Sequence, residues 1–157
     1  MKRREFVNLL INEMNKNEKI FLLTGDLGFG LFDDIRKDFP NRFINVGSCE
    51  QLMIGLAVGL SYEGWIPLCY SITPFLLYRP FEFIRNYLNH ELANVKLVGG
   101  GRDKDYKNLG FSHWAEDDVK IMSSLENIKI YKPEKMSSEI FNDFIYNNKP
   151  SYINLIR

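Results

Sequence analysis

The chain has 157 residues, 45% of them hydrophobic and 25% charged, which suits one folded domain and excludes a disordered segment. Twenty Lys+Arg balance twenty Asp+Glu, so no global basic field gathers phosphate backbones or anionic lipid, and neither nucleic acid nor membrane is expected as a partner. The longest apolar runs, such as Ile66-Pro67-Leu68-Cys69-Tyr70, fall far short of the roughly 20 residues a spanning helix needs.

Near the start, Asn8, Asn12, Glu13 and Asn15 interrupt any secretory h-region, and a cytoplasmic location is expected. Phe6, Leu9, Leu10 and Met14 recur at helical spacing and predict a first helix. Apolar bursts bounded by Gly, Pro, Asn and Asp then predict six strands, at residues 20–24, 43–46, 66–71, 95–99, 128–131 and 152–156. Between the second and third, Leu52, Leu56, Ala57 and Leu60 predict another helix. The run Ile20-Phe21-Leu22-Leu23 is apolar at consecutive positions, as burial on both sheet faces requires. Strand and helix in alternation predict an α/β fold: a doubly wound, mostly parallel six-stranded sheet with helices on both faces, in a single domain over residues 1–157. Residues 99–110, glycine-rich and then charged, form the one long irregular stretch, the kind of loop that carries function or moves. Cys49 and Cys69 are too few for a disulfide framework and read as free thiols.

Three clusters carry candidate chemistry. Glu50 stands just past the second strand, where a helix begins; by position it is either a first-turn acid favoured by the helix dipole behind a Ser48 cap, or a carboxylate delivered to a site. In the helix after it, Gly55 and Gly59 predict a close approach of another helix or subunit. Phe75, Tyr78 and Phe81 follow the third strand at a spacing of three, which places them on one side of a turn, as core or as a ring-binding surface. His113 ends the long loop, whereas His90 reads as a surface residue. No Walker loop is present, Gly25-Asp26-Leu27-Gly28-Phe29-Gly30 lacks the order of a dinucleotide fingerprint, and no metal-ligand spacing is found.

In chain order, Thr24-Gly25-Asp26-Leu27, then Arg42-Phe43-Ile44-Asn45-Val46-Gly47 with Glu50-Gln51, then Ala57, Gly59, Leu60, Glu63 and Gly64, and finally Gly110, Ser112 and His113 resemble the pyrimidine-binding domain of the transketolase family over essentially the whole chain. The resemblance implies that thiamine diphosphate is shared with a partner. It makes Glu50 the catalytic acid that donates to N1′ of the aminopyrimidine from an apolar, desolvated site, so that the thiazolium carbon becomes a nucleophile toward a ketose or a 2-oxo acid. It places Phe75, Tyr78 and Phe81 beside the pyrimidine ring, Asp26, Val46 and Gly47 at the cofactor, and His113 at the substrate as a second catalytic residue.

The family's Gly-Asp-Gly and Asn motifs for Mg²⁺ and diphosphate are absent from this sequence. The resemblance therefore implies a split enzyme: a pyrophosphate-domain subunit holds Mg²⁺, and two copies of each chain form a heterotetramer acting on sugar-type substrates. In that assembly, apolar surface around Glu50, Leu52, Met53, Phe75 and Phe81 is expected to be covered by the partner. Two alternatives keep the same resemblance: a subunit of a 2-oxo acid decarboxylase or carboligase, with Arg102 pairing a substrate carboxylate, and a non-catalytic structural subunit.

Overall fold

The computed structural model describes residues 2–135 and 137–157. Six strands, β1 (Ile20–Thr24), β2 (Phe43–Asn45), β3 (Ile66–Ile72), β4 (Lys96–Gly100), β5 (Lys129–Tyr131) and β6 (Ser151–Leu155), form one sheet in the order β2-β1-β3-β4-β6-β5. Every pairing is parallel, with Leu22 opposite Phe43 and Leu68, and Val98 opposite Tyr70 and Ile153. All five residues of β1, β4 and β6 are buried, whereas the edge strands β2 and β5 contain no buried residue. That gradient explains the consecutive apolar runs: central strands of a parallel sheet are covered on both faces.

The helices cover the two faces. Against one lie α1 (Arg3–Met14), α2 (Asp33–Asp38) and α7 (Ser138–Tyr146), which bury Phe6, Leu10, Ile35, Phe141 and Phe144 on Leu22, Tyr70, Val98 and Ile153. Against the other lie α3 (Glu50–Tyr62), α4 (Thr73–Tyr78), α5 (Phe81–Phe83) with the π-helical turn Ile84–His90 that continues it, and α6 (Asp118–Met122), packed on Leu23, Cys69, Leu97 and Tyr152. Local chemistry sets the ends: the Ser137 side chain accepts from the Ile140 N–H at the start of α7, and the Glu5 carboxylate accepts from the Lys2 N–H at the start of α1.

Two local expectations are corrected. No side chain caps α3; its N-cap is Cys49, in a tight turn where the Cys49 N–H bonds Gly47 O at 2.7 Å and Gly47 takes φ 73°, leaving Ser48 exposed. Within α3, Met53, Ile54, Ala57 and Val58 are buried, while Leu52 and Leu56 remain 55% and 40% exposed, because the helix is apolar around most of its girth. Met53 is therefore core rather than surface awaiting a partner. Gly55 backs onto the Phe83 ring, whereas nothing lies within 4 Å of a Cβ added at Gly59.

The chain leaves β1 for β2 on one side and returns to place β3 on the other. The carboxyl ends of β1 and β3 therefore flank the reversal in strand order, where open α/β sheets bind their ligands.

Candidate functional site

At that reversal, backbone geometry brings together side chains from the ends of β1, β2 and β3, from α3 and α4, and from the long loop. Asn45, at the end of β2, staples the entry loop: its Oδ1 accepts from the N–H groups of Asp26 at 2.9 Å and Gly47 at 3.0 Å, and its Nδ2 donates to Asp26 Oδ1 at 3.2 Å. Asp26 is held at φ 57°, a conformation that Asp tolerates through such local bonds. Val46 extends the ladder by one bond, its N–H to Thr24 O at 3.0 Å. The chain then turns through Gly47 and enters α3 with Glu50 pointing back under the end of β1.

Glu50 is 2% exposed. Its Oε1 accepts from Ser71 Oγ at 2.8 Å and its Oε2 from Arg79 Nη1 at 2.7 Å. Gly25 makes the room: a Cβ there would stand 3.2 Å from Glu50 Oε1 and 3.3 Å from Ser71 Oγ. The apolar surroundings expected for Glu50 are thus replaced by a buried carboxylate with one hydroxyl and one guanidinium donor. A buried charge is tolerable only when paired in this way.

Beside it, the Arg79 guanidinium stacks on Phe75, with Cζ 3.8 Å from the ring centroid. The His113 ring meets Phe75 at 4.8 Å in an edge contact, and Ser112 Oγ lies 3.0 Å from His113 Nδ1. Glu50, Arg79, Phe75 and His113 are therefore one contiguous cluster, drawn from α3, the end of α4 and the long loop.

The structure separates two of the predicted aromatic residues from that cluster. The Tyr78 hydroxyl donates to Asp117 Oδ1 at 2.6 Å, and burial together with that carboxylate pushes its pKa up. Tyr78 and Phe81 border a different groove, of about 700 Å³, with Lys120 and Ile121. Residues 78 and 79 both neighbour residue 75 one turn on but lie to either side of it, and the packing of α4 against the end of the sheet turns Arg79 to the site and Tyr78 to the groove. Asp26 is exposed at the rim of the site. Arg102 does not reach a cleft; it is 5% exposed and donates inward to Asn154 O at 2.8 Å and Pro133 O at 3.1 Å.

Three members of the site were not singled out by the sequence reading. Ser71 and Gly25 carry no chemical signature of their own, but Arg79, four residues after Phe75, is visible as a helical neighbour of an aromatic candidate.

A second feature lies at the same end of the sheet. Lys2, Arg3, Arg4 and Arg157 line a cleft of about 540 Å³ whose other wall is the Gly28–Leu31 loop after β1. Among the described residues, no group of three or more His, Cys, Asp or Glu side chains is placed to hold a metal ion. No helix among them is long and apolar enough to cross a membrane.

These residues fit a flat heteroaromatic base: a buried carboxylate for a ring nitrogen, a partly exposed Phe75 face for stacking, and a glycine at the one position where a Cβ would crowd both carboxylate and hydroxyl.

Comparison with known proteins gives concordant results. The family model described as "Transketolase, pyrimidine binding domain" matches residues 3–151. A 6-deoxy-6-sulfo-D-fructose transketolase subunit from Clostridium sp. is 30% identical over 99% of this chain and 49% of its own length. A putative transketolase C-terminal section from Methanocaldococcus jannaschii is 34% identical over 83% of this chain and 42% of its own. Among solved structures, a split-gene transketolase described as an inactive β4 tetramer superposes with a TM-score of 0.85 at 32% identity, over 99% of this chain and 50% of that one. This chain thus spans half or less of the length of each.

Proposed function

Since the chain belongs to the transketolase pyrimidine-binding domain family, whose model spans residues 3–151, we propose that it is the pyrimidine-domain part of a split, thiamine-diphosphate-dependent transketolase-like enzyme. Residues 1–157 form one such domain, and a pyrophosphate-domain subunit supplies the ligands for Mg²⁺ and diphosphate. Two copies of each chain assemble in the cytoplasm. The relatives support the split: two are described as a subunit and as a C-terminal section. The exposed Leu52 and Leu56 on α3 suit coverage by another chain.

The observation that carries the reading is the buried Glu50 carboxylate beside the half-buried Phe75 ring at the strand reversal. In this reading Glu50 holds and transfers the proton at N1′ of the pyrimidine, with Ser71 fixing the carboxyl group and Gly25 admitting it. Phe75 orients the ring and His113, packed on Phe75, faces the substrate. Asp26, Val46 and Gly47 form the backbone wall of the site, whereas Tyr78 and Phe81 border the neighbouring groove. When bound, the cofactor supplies a carbon nucleophile for the transfer of a ketol unit between sugar-type substrates.

The cationic cleft of Lys2, Arg3, Arg4 and Arg157 favours a sugar carrying an anionic group. The inward-turned Arg102 withdraws the side chain on which a 2-oxo acid reading relied.

Calorimetric titration of thiamine diphosphate with Mg²⁺ tests the proposal, into this chain alone and into its mixture with a pyrophosphate-domain subunit. Tight, Mg²⁺-dependent binding is expected in the mixture only. Absence of binding in both sinks the catalytic reading in favour of a structural subunit.

A further inference from the structure

Arg79 takes up both surfaces that the proposed function assigns to a pyrimidine ring. Its guanidinium is planar and cationic, donates to Glu50 Oε2 at 2.7 Å, and lies over the Phe75 ring with Cζ 3.8 Å from the centroid. A pyrimidine would make the same two contacts, a ring nitrogen that shares a proton with the buried carboxyl group and a π-face toward Phe75.

We propose that Arg79 is a placeholder for the cofactor's pyrimidine: it fills the seat in the unloaded chain and must swing out before the ring enters. The proposal rests on the reading of the site as a pyrimidine seat, and adds to it a gate.

Exposure shows which partner moves. The Glu50 side chain is 1% exposed and fixed by Ser71, whereas the Arg79 side chain is 46% exposed, at the carboxyl end of a helix of only six residues. Arg79 can therefore rotate to solvent without repacking the core, and Glu50 cannot. Electrostatics gives the placeholder its use: with Arg79 seated, Glu50 is never a bare buried charge, and once Arg79 leaves, the carboxyl group requires a new donor. A ring that stacks but offers no ring nitrogen to share a proton with Glu50 leaves that requirement unmet. The gate thus discriminates by hydrogen bonding as well as by shape.

The test uses the full chain and the probe 4-amino-5-hydroxymethyl-2-methylpyrimidine, followed by NMR of chain labelled at arginine nitrogen. In the wild type, the Arg79 Nε–H signal is expected to move as the probe enters. Arg79→Ala is expected to bind the probe about tenfold tighter, the size set by one half-exposed ion pair plus one exposed cation–π contact. Methylguanidinium, which restores the missing group, is expected to compete with the probe in Arg79→Ala and to leave the wild type unaffected. Arg79→Met, which keeps the aliphatic stem, carries the same comparison if the alanine variant is unstable.

Equal or weaker probe binding in both variants overturns the gate while leaving the pyrimidine seat standing. Probe binding to none of the proteins overturns the seat and the gate together, and methylguanidinium binding to Arg79→Ala then identifies the pocket as a cation site only.

Discussion

Ser71 Oγ donates to Glu50 Oε1 across 2.8 Å, tying the end of β3 to the first residue of α3 at the point where the strand order reverses. The bond fixes one carboxylate oxygen and leaves the other to Arg79, so the orientation of Glu50 is set by the sheet itself rather than by a loop. Replacement by the isosteric amide probes the proton and not the shape. Glu50→Gln is expected to retain the fold, judged by circular dichroism, and to lower the activity of the reconstituted complex by about 10²- to 10⁴-fold. Activity near wild type removes Glu50 from the chemistry.

Gly25 tests the same bond sterically. An added methyl group would sit 3.2 Å from Glu50 Oε1 and 3.3 Å from Ser71 Oγ, and both neighbours are buried. Gly25→Ala is expected to destabilise the fold by about 1 kcal/mol through overpacking and to weaken cofactor retention in the complex. Thermal unfolding reads the first effect and titration of thiamine diphosphate the second. An unperturbed affinity would mean that the carboxylate can yield the few tenths of an ångström at no functional cost.

Lys96 opens β4 fully buried, its Nζ donating to Asn147 Oδ1 at 2.8 Å and Lys149 O at 2.7 Å, and desolvation pulls its pKa down to about 7. Above that value the folded chain binds one proton fewer at this site than the unfolded chain, whose lysine titrates near 10.5. Stability therefore rises with pH from about 7, by up to about 1.4 kcal/mol per pH unit from this group. The buried Cys69 thiol, pushed up by burial, opposes the rise once an unfolded thiol ionises at about pH 8.5. Lys96→Met is expected to be neutral or stabilising at pH 7 and to abolish the rise between pH 7 and 8.5 in urea titrations. A variant with the wild-type pH profile would assign that rise elsewhere.

Asp118 is buried at the head of α6 and accepts from the Tyr152 hydroxyl at 2.7 Å and from the Asn154 amide, both on β6. Removing the carboxylate takes the acceptor from the Tyr152 hydroxyl and leaves the Asn154 amide only its 3.0 Å bond to that hydroxyl. Asp118→Ala is expected to cost about 3 kcal/mol, measured by chemical denaturation, whereas Asp118→Asn, which keeps an acceptor, is expected to cost less. Equal costs for the two would show that volume rather than hydrogen bonding matters there.

Much of this architecture is legible in the linear sequence. Consecutive apolar residues at 20–23 mark a strand buried on both faces, and each expected strand lies within about one residue of its observed ends, the edge strands β2 and β5 included, where Gly, Pro, Asn and Asp bound the short apolar runs. Glu50 and Phe75 are likewise visible as residues just beyond strands, where a parallel sheet places its ligands. The partnership of Glu50 with Arg79 and Ser71 is not visible, since those residues lie 29 and 21 positions away and meet it only when β3 docks beside β1. Nor does sequence spacing separate Tyr78 from Phe75: which side of a short helix faces the site depends on how that helix packs against the end of the sheet. The buried ends of Lys96 and Arg102 follow the same logic. Sequence determines which chemistries are present at the strand ends, and the tertiary fold alone decides which of them are desolvated, paired and brought face to face.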